Sequence, residues 1–117
     1  MRDLFVCSGG VDRSPAALSI ADELAKKAGI VDYYSNCFGI HSLDDQSTLN
    51  RDEVISYDRI FVMDDLVQAS IVRKYSPPKE KIINLGVEDT LSDDRPALIK
   101  ELREKLSPFF NNPSKTL

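Results

Sequence analysis

Residues 4–15, LFVCSGGVDRSP, constrain the fold more than any other stretch of the chain. The apolar run Leu4-Phe5-Val6 has no polar face, as a strand buried on both sides requires. It stops at Cys7, passes through Gly9-Gly10 and reaches Arg13-Ser14-Pro15. Proline suits the first turn of a helix, where its missing N–H has no acceptor to lose. A two-sided strand that leads through a short loop into a helix belongs to a parallel sheet covered by helices.

The rest of the chain keeps the alternation. The spacing predicts a helix over Ser14–Ala28, with Ala17, Ala21, Leu24 and Ala28 on its buried face and Gly29 at its end. Val31–Phe38 reads as a more polar edge strand. Residues 39–48 read as loop and Leu49–Ile55 as a short helix. Ile60–Met63 is the clearest later strand, followed by Asp64 as the cap of a helix over Leu66–Tyr75. Pro77-Pro78 breaks the chain before a strand over Lys81–Leu85. An acidic loop over Gly86–Asp94 leads to a last helix, Pro96–Phe109, with Ile99, Leu102, Leu106 and Phe109 on one face. The expected architecture is α/β with three layers: a doubly wound, four-stranded parallel sheet, order 2-1-3-4, with helices on both faces. Residues 1–110 form one domain in this reading and 111–117 a frayed tail. In such sheets ligands sit at the carboxyl ends of the strands, where Cys7 and the 86–94 loop both fall.

Composition narrows the function. The chain has 117 residues, 42% apolar, which suits one modest core. No stretch reaches the roughly 18 apolar residues of a membrane span, and the N-terminal apolar run is too short for a secretory signal. Two widely spaced cysteines point to a reducing, cytoplasmic setting. A net charge of -4 without a large Lys/Arg cluster argues against nucleic acid as a partner. A small phosphate site needs only local dipoles and one arginine.

The 7–14 segment has the makings of such a site. Backbone N–H groups from Ser8, Gly9, Gly10, Val11, Asp12 and Arg13 can curl around a tetrahedral oxyanion, because Gly9 and Gly10 tolerate positive φ. The helix that starts near Ser14 aims its positive end at the same point. Arg13 can hold two equatorial oxygens of a phosphoryl group with its planar fork. The same field favours a thiolate at Cys7, the candidate nucleophile, and Ser14 can donate a hydrogen bond to the sulfur. The leaving oxygen needs a proton, and Asp89 is preferred as the general acid, a role worth typically 10²–10⁴-fold. Asp93 and Asp94 stand where the last helix needs a cap. His41 falls in a polar loop and reads as solvent-facing. The chemistry calls for no metal and no cofactor. The partners it implies are a phosphorylated protein or a small phosphomonoester, with phosphate or sulfate as the simplest oxyanion.

VCSGGVDRSP resembles the signature loop of the low-molecular-weight protein tyrosine phosphatases, V-C-x-G-N-x-C-R-S-P. By that resemblance Cys7 is the nucleophile, Gly9 the loop glycine, Arg13 the phosphate-binding arginine and Ser14 the thiolate-tuning serine. Ile60–Asp64 (IFVMD) is similar to the family's third strand, and Asp89 lies where the family has its general acid. The resemblance implies a cysteine-dependent phosphomonoesterase that works through a cysteinyl-phosphate. The chain departs from the signature at Gly10, where the family has asparagine, and at Asp12, where it has a second cysteine. At roughly 6 Å and an effective dielectric of 20, a carboxylate costs a bound anion about 3 kcal/mol per charge pair, so Asp12 must turn away or find a cation. Cys37, the other cysteine, reads as a small residue on a distant strand. Alternative readings are an arsenate reductase, which needs further thiols, a phosphocarrier, which lacks the arginine, and a phosphate-binding module without turnover.

Overall fold

The computed structural model describes residues 1–8, 13–40, 49–87 and 94–110. Among them, strands β1 (Arg2–Cys7), β2 (Tyr34–Gly39), β3 (Arg59–Val62) and β4 (Ile82–Asn84) alternate with helices α1 (Arg13–Lys27), α2 (Arg51–Ile55), α3 (Asp65–Tyr75) and α4 (Arg95–Leu106). The strands form one sheet in the order β2-β1-β3-β4, every neighbouring pair parallel, as the alternation predicts. β2 pairs with β1 alone and is therefore an edge, which is why it tolerates Ser35 and Asn36.

The pleat of β1 divides the core in two. Phe5 and Cys7 face one layer, with Ala16, Ala17, Ile20, Ala21 and Ala25 of α1 and Leu98, Leu102 and Leu106 of α4. Leu4 and Val6 face the other, with Val54 of α2 and Val67, Ile71 and Tyr75 of α3. Small residues on α1 let its axis lie close to the sheet, which brings its first turn against the end of β1. Gly29, at φ +74, closes α1 in the left-handed region that its sequence position suggests.

Several expected faces and ends shift by a residue or two. The buried face of α1 is centred on Ala17, Ile20 and Ala21, while Leu24 is only half-buried. On α4 the buried residues are Leu98, Leu102 and Leu106, with Phe110 in the following 3-10 turn (Ser107–Phe110). Ile99 is half-buried and Phe109 exposed, because that 3-10 turn rotates the face away from the 3.6-residue period. Val31 is exposed ahead of β2 rather than within it. Asp64 caps α3 by accepting from the Val67 amide at 2.9 Å, and Asp94 caps α4 by accepting from the Ala97 amide at 3.2 Å.

One buried acid is unforeseen. Asp3 is fully buried in β1, and Arg59 of β3 holds it with two parallel bonds, Nε to Oδ1 at 2.8 Å and Nη2 to Oδ2 at 2.7 Å. The Tyr33 hydroxyl donates to the same Oδ2 at 2.7 Å. Burial, the Asp3 charge and that hydrogen bond push the Tyr33 phenol well above its usual range, so it stays protonated. This cluster lies at the amino ends of the strands and fastens β1 to β3 opposite the candidate site.

Candidate active site

The carboxyl ends of β1, β3 and β4 converge because the sheet ladder runs past the strands. The Met63 amide donates to Val6 O at 3.2 Å, Leu85 N to Val62 O at 2.9 Å and Val87 N to Met63 O at 2.6 Å. Cys7, Asp64 and Val87 are thereby set side by side although they are far apart in sequence. The chain leaves β1 toward β2 on one side and returns as β3 on the other, so this is the switch point of the sheet.

Cys7 ends β1 with its side chain buried on the α1 face. Ser14, in the first turn of α1, places its hydroxyl 3.1 Å from the Cys7 sulfur. Both groups are buried, so the contact is made away from water. The positive end of the α1 dipole falls at this same end of the helix.

Arg13 is the largest of the fully buried side chains, with 2% of its surface exposed. A guanidinium withdrawn from water needs donors satisfied and charge matched. Its Nη1 donates to Asp64 Oδ2 at 2.7 Å and to the Val87 carbonyl at 2.8 Å, and its Nη2 to Ser8 Oγ at 3.1 Å. Burial alone raises the Asp64 carboxyl, but bonds from Arg13 and the Val67 amide and the Arg13 charge outweigh it and hold Asp64 below the usual carboxylate range. Asp64 is thus both the cap of α3 and the counter-charge of Arg13.

Cys37 requires a correction. The sequence reading puts it on a distant strand, yet β2 is the direct neighbour of β1, with Cys37 opposite Phe5 and Gly39 opposite Cys7. The period of two turns Cys37 to the α1 face, where its thiol meets the Ser14 hydroxyl. Burial raises the Cys37 thiol above its ordinary value; the Ser14 contact opposes this and the Cys7 charge adds to it.

The structure therefore brings together Cys7, Ser8, Arg13 and Ser14 from the expected set. Gly9, Gly10, Val11, Asp12, His41, Asp89 and Asp93 lie outside the described residues. Asp64 and Val87 were not among the expected site residues. A sequence signal existed for Asp64: a Met-Asp at the end of the strand next to β1 stands across the switch point from an arginine that needs a counter-charge.

No family model and no curated protein matches the chain in sequence. Its structure does have likenesses. It superposes on the low molecular weight protein tyrosine phosphatase of T. tengcongensis with a TM-score of 0.71 at 22% identity, covering 100% of this chain and 99% of that one. The protein tyrosine phosphatase of Entamoeba histolytica, with Hepes in its active site, gives 0.71 at 18% identity over 93% and 94%. The arginine phosphatase YwlE of Bacillus subtilis, in a cysteine-to-serine variant with its active-site serine phosphorylated, gives 0.69 at 17% over 93% and 95%. Near-complete coverage in both directions means that the whole element order is shared, and the chain has the fold of the low-molecular-weight protein tyrosine phosphatases.

Proposed function

We propose that the protein is a metal-independent, cysteine-dependent phosphomonoesterase, a short and divergent relative of the low-molecular-weight protein tyrosine phosphatases. The observation that carries this reading is the buried contact between the Cys7 sulfur and the Ser14 hydroxyl at 3.1 Å, with a buried arginine in the adjacent position of the helix. A cysteine with only a packing role has no need of a hydroxyl and a helix N-terminus against its sulfur. The shared fold with proteins that are phosphatases supports the same reading.

In the proposed reaction the Cys7 thiolate attacks phosphorus in line and the bond to the leaving oxygen breaks. Arg13 and the amides of residues 8–13 stabilise the equatorial oxygens as charge spreads over them. Asp89 gives its proton to the leaving oxygen. The Asp89 carboxylate then takes a proton from a water molecule, whose oxygen attacks the cysteinyl-phosphate. Phosphate departs and the thiolate is regenerated beside the Ser14 hydroxyl. The substrate is a phosphorylated protein or a small phosphomonoester, turned over in the cytoplasm.

Hydrolysis of para-nitrophenyl phosphate in the presence of a chelator tests the proposal. Cys7→Ser is expected to abolish turnover. Asp89→Asn is expected to lower kcat by roughly 10²–10⁴-fold, most for poor leaving groups. Undiminished hydrolysis by Cys7→Ser would exclude the mechanism.

A further inference from the structure

The sequence assigns Asp64 no role beyond capping α3. Its two oxygens nevertheless serve two elements: Oδ1 accepts from the Val67 amide at 2.9 Å and Oδ2 from Arg13 Nη1 at 2.7 Å. A cap needs one oxygen, and serine or asparagine serves as well. The second oxygen faces a guanidinium that is 2% exposed, while Asp64 itself keeps a quarter of its side-chain surface. The Val87 carbonyl, 2.8 Å from the same Nη1, completes a bracket from β3 and β4 on one nitrogen. The other terminal nitrogen, Nη2, reaches Ser8 Oγ at 3.1 Å, just past the end of β1. With one nitrogen gripped from behind, the guanidinium plane has one orientation, with its other edge toward the Cys7 end of β1.

We propose that Asp64 is a positioning residue for the phosphoryl-binding arginine: its carboxylate fixes the Arg13 fork from the side opposite Ser8. The inference rests on the phosphatase reading, and Asp64 acts through Arg13 rather than on the substrate. A long arginine side chain loses much rotational freedom when it binds an anion. An arginine already locked by a charge-assisted bond has made that loss on folding, and the benefit appears in both binding and turnover.

The two roles of Asp64 separate by substitution. Asp64→Asn keeps a capping oxygen and removes the charge; Asp64→Glu keeps the charge and caps less well; Asp64→Ser caps without reaching Arg13. Each variant is assayed at a temperature where circular dichroism shows it folded. The measurements are kcat/KM for para-nitrophenyl phosphate and the Kd of inorganic phosphate by calorimetry. Asp64→Asn and Asp64→Ser should lose on the order of 10–100-fold in kcat/KM, as loss of a bond to a charged group implies, and should bind phosphate more weakly. Asp64→Glu should recover part of both. An Asp64→Asn protein equal to the wild type overturns the proposal, as does the order Asn above Glu, which is the order of capping. Tighter phosphate binding by Asp64→Asn also overturns it, because a carboxylate that only neutralises Arg13 would give that sign. A wild type that binds phosphate without hydrolysing esters defeats the phosphatase reading alone, and the Kd order then decides. A wild type that does neither defeats both.

Discussion

Two arginines show how a charge is kept inside this protein. Arg59 and Arg13 each face a carboxylate at 2.7 Å, one at the amino ends of the strands and one at the carboxyl ends. The Arg59–Asp3 pair is bidentate, and the Asp3 side chain is fully buried. The ring of Phe110 adds a face-on contact 5.0 Å from the Arg59 guanidinium carbon. Removing one partner of a buried pair leaves the other uncompensated, and the Tyr33 hydroxyl would lose its acceptor as well. Asp3→Ala should therefore lower unfolding stability by about 3 kcal/mol or more, read from the urea midpoint. It should leave the Cys7–Ser14 contact intact, since that lies at the other end of β1. The sequence carries a signal for the Arg13–Asp64 pair, in the Met-Asp at the end of β3, and none for the Arg59–Asp3 pair. Asp3 looks like a strand-end acid until Arg59, 56 residues later, is placed beside it.

The elements themselves were far easier to read than their ends. The Leu4–Val6 run marks β1, but the strand extends to Arg2 and Cys7 because β2 pairs with those residues too, Arg2 opposite Tyr34 and Cys7 opposite Gly39. Asp64 and Asp94 announce α3 and α4 as caps, and both bonds are made. The faces of α1 and α4 were half right, since a period of 3.6 leaves neighbouring stripes close in phase and the packed sheet chooses between them. The C-terminus of α3 is an irregular point. Ser76 closes it in the left-handed region, at φ 46, where a side chain is strained. Ser76→Gly should stabilise the protein by roughly 0.5–1 kcal/mol, because relief of that strain exceeds the added chain entropy. A rise in Tm with unchanged activity is the expected readout.

At the scale of the whole molecule, Asp64 ties α3, through its cap, to the start of α1, through Arg13. Its carboxyl lies below the ordinary value of about 3.9 in the folded state. A depressed carboxyl contributes stability that is fully present above its unfolded value and is lost as pH falls through the folded one. Unfolding free energy should thus decline from about pH 4 downward. Asp64→Asn should show a shallower decline over that window in urea titrations, with the difference vanishing at the lowest pH. An identical acid slope in the two proteins would mean that the Arg13–Asp64 pair adds nothing to folding.

Local spacing along the chain was enough to specify the βαβ alternation and the placement of Cys7, Arg13 and Ser14 on one strand-loop-helix unit. Those properties depend on residues a few positions apart, whose geometry the backbone period dictates. What surrounds that unit came only from the folded sheet. Asp64 and Val87 stand 51 and 74 residues from the arginine they hold, and Cys37 is drawn to Ser14 by the pairing of β2 with β1. No periodicity encodes such contacts; they exist because parallel strands bring the carboxyl ends of separate segments to one edge, where a buried charge and a buried thiol must find partners.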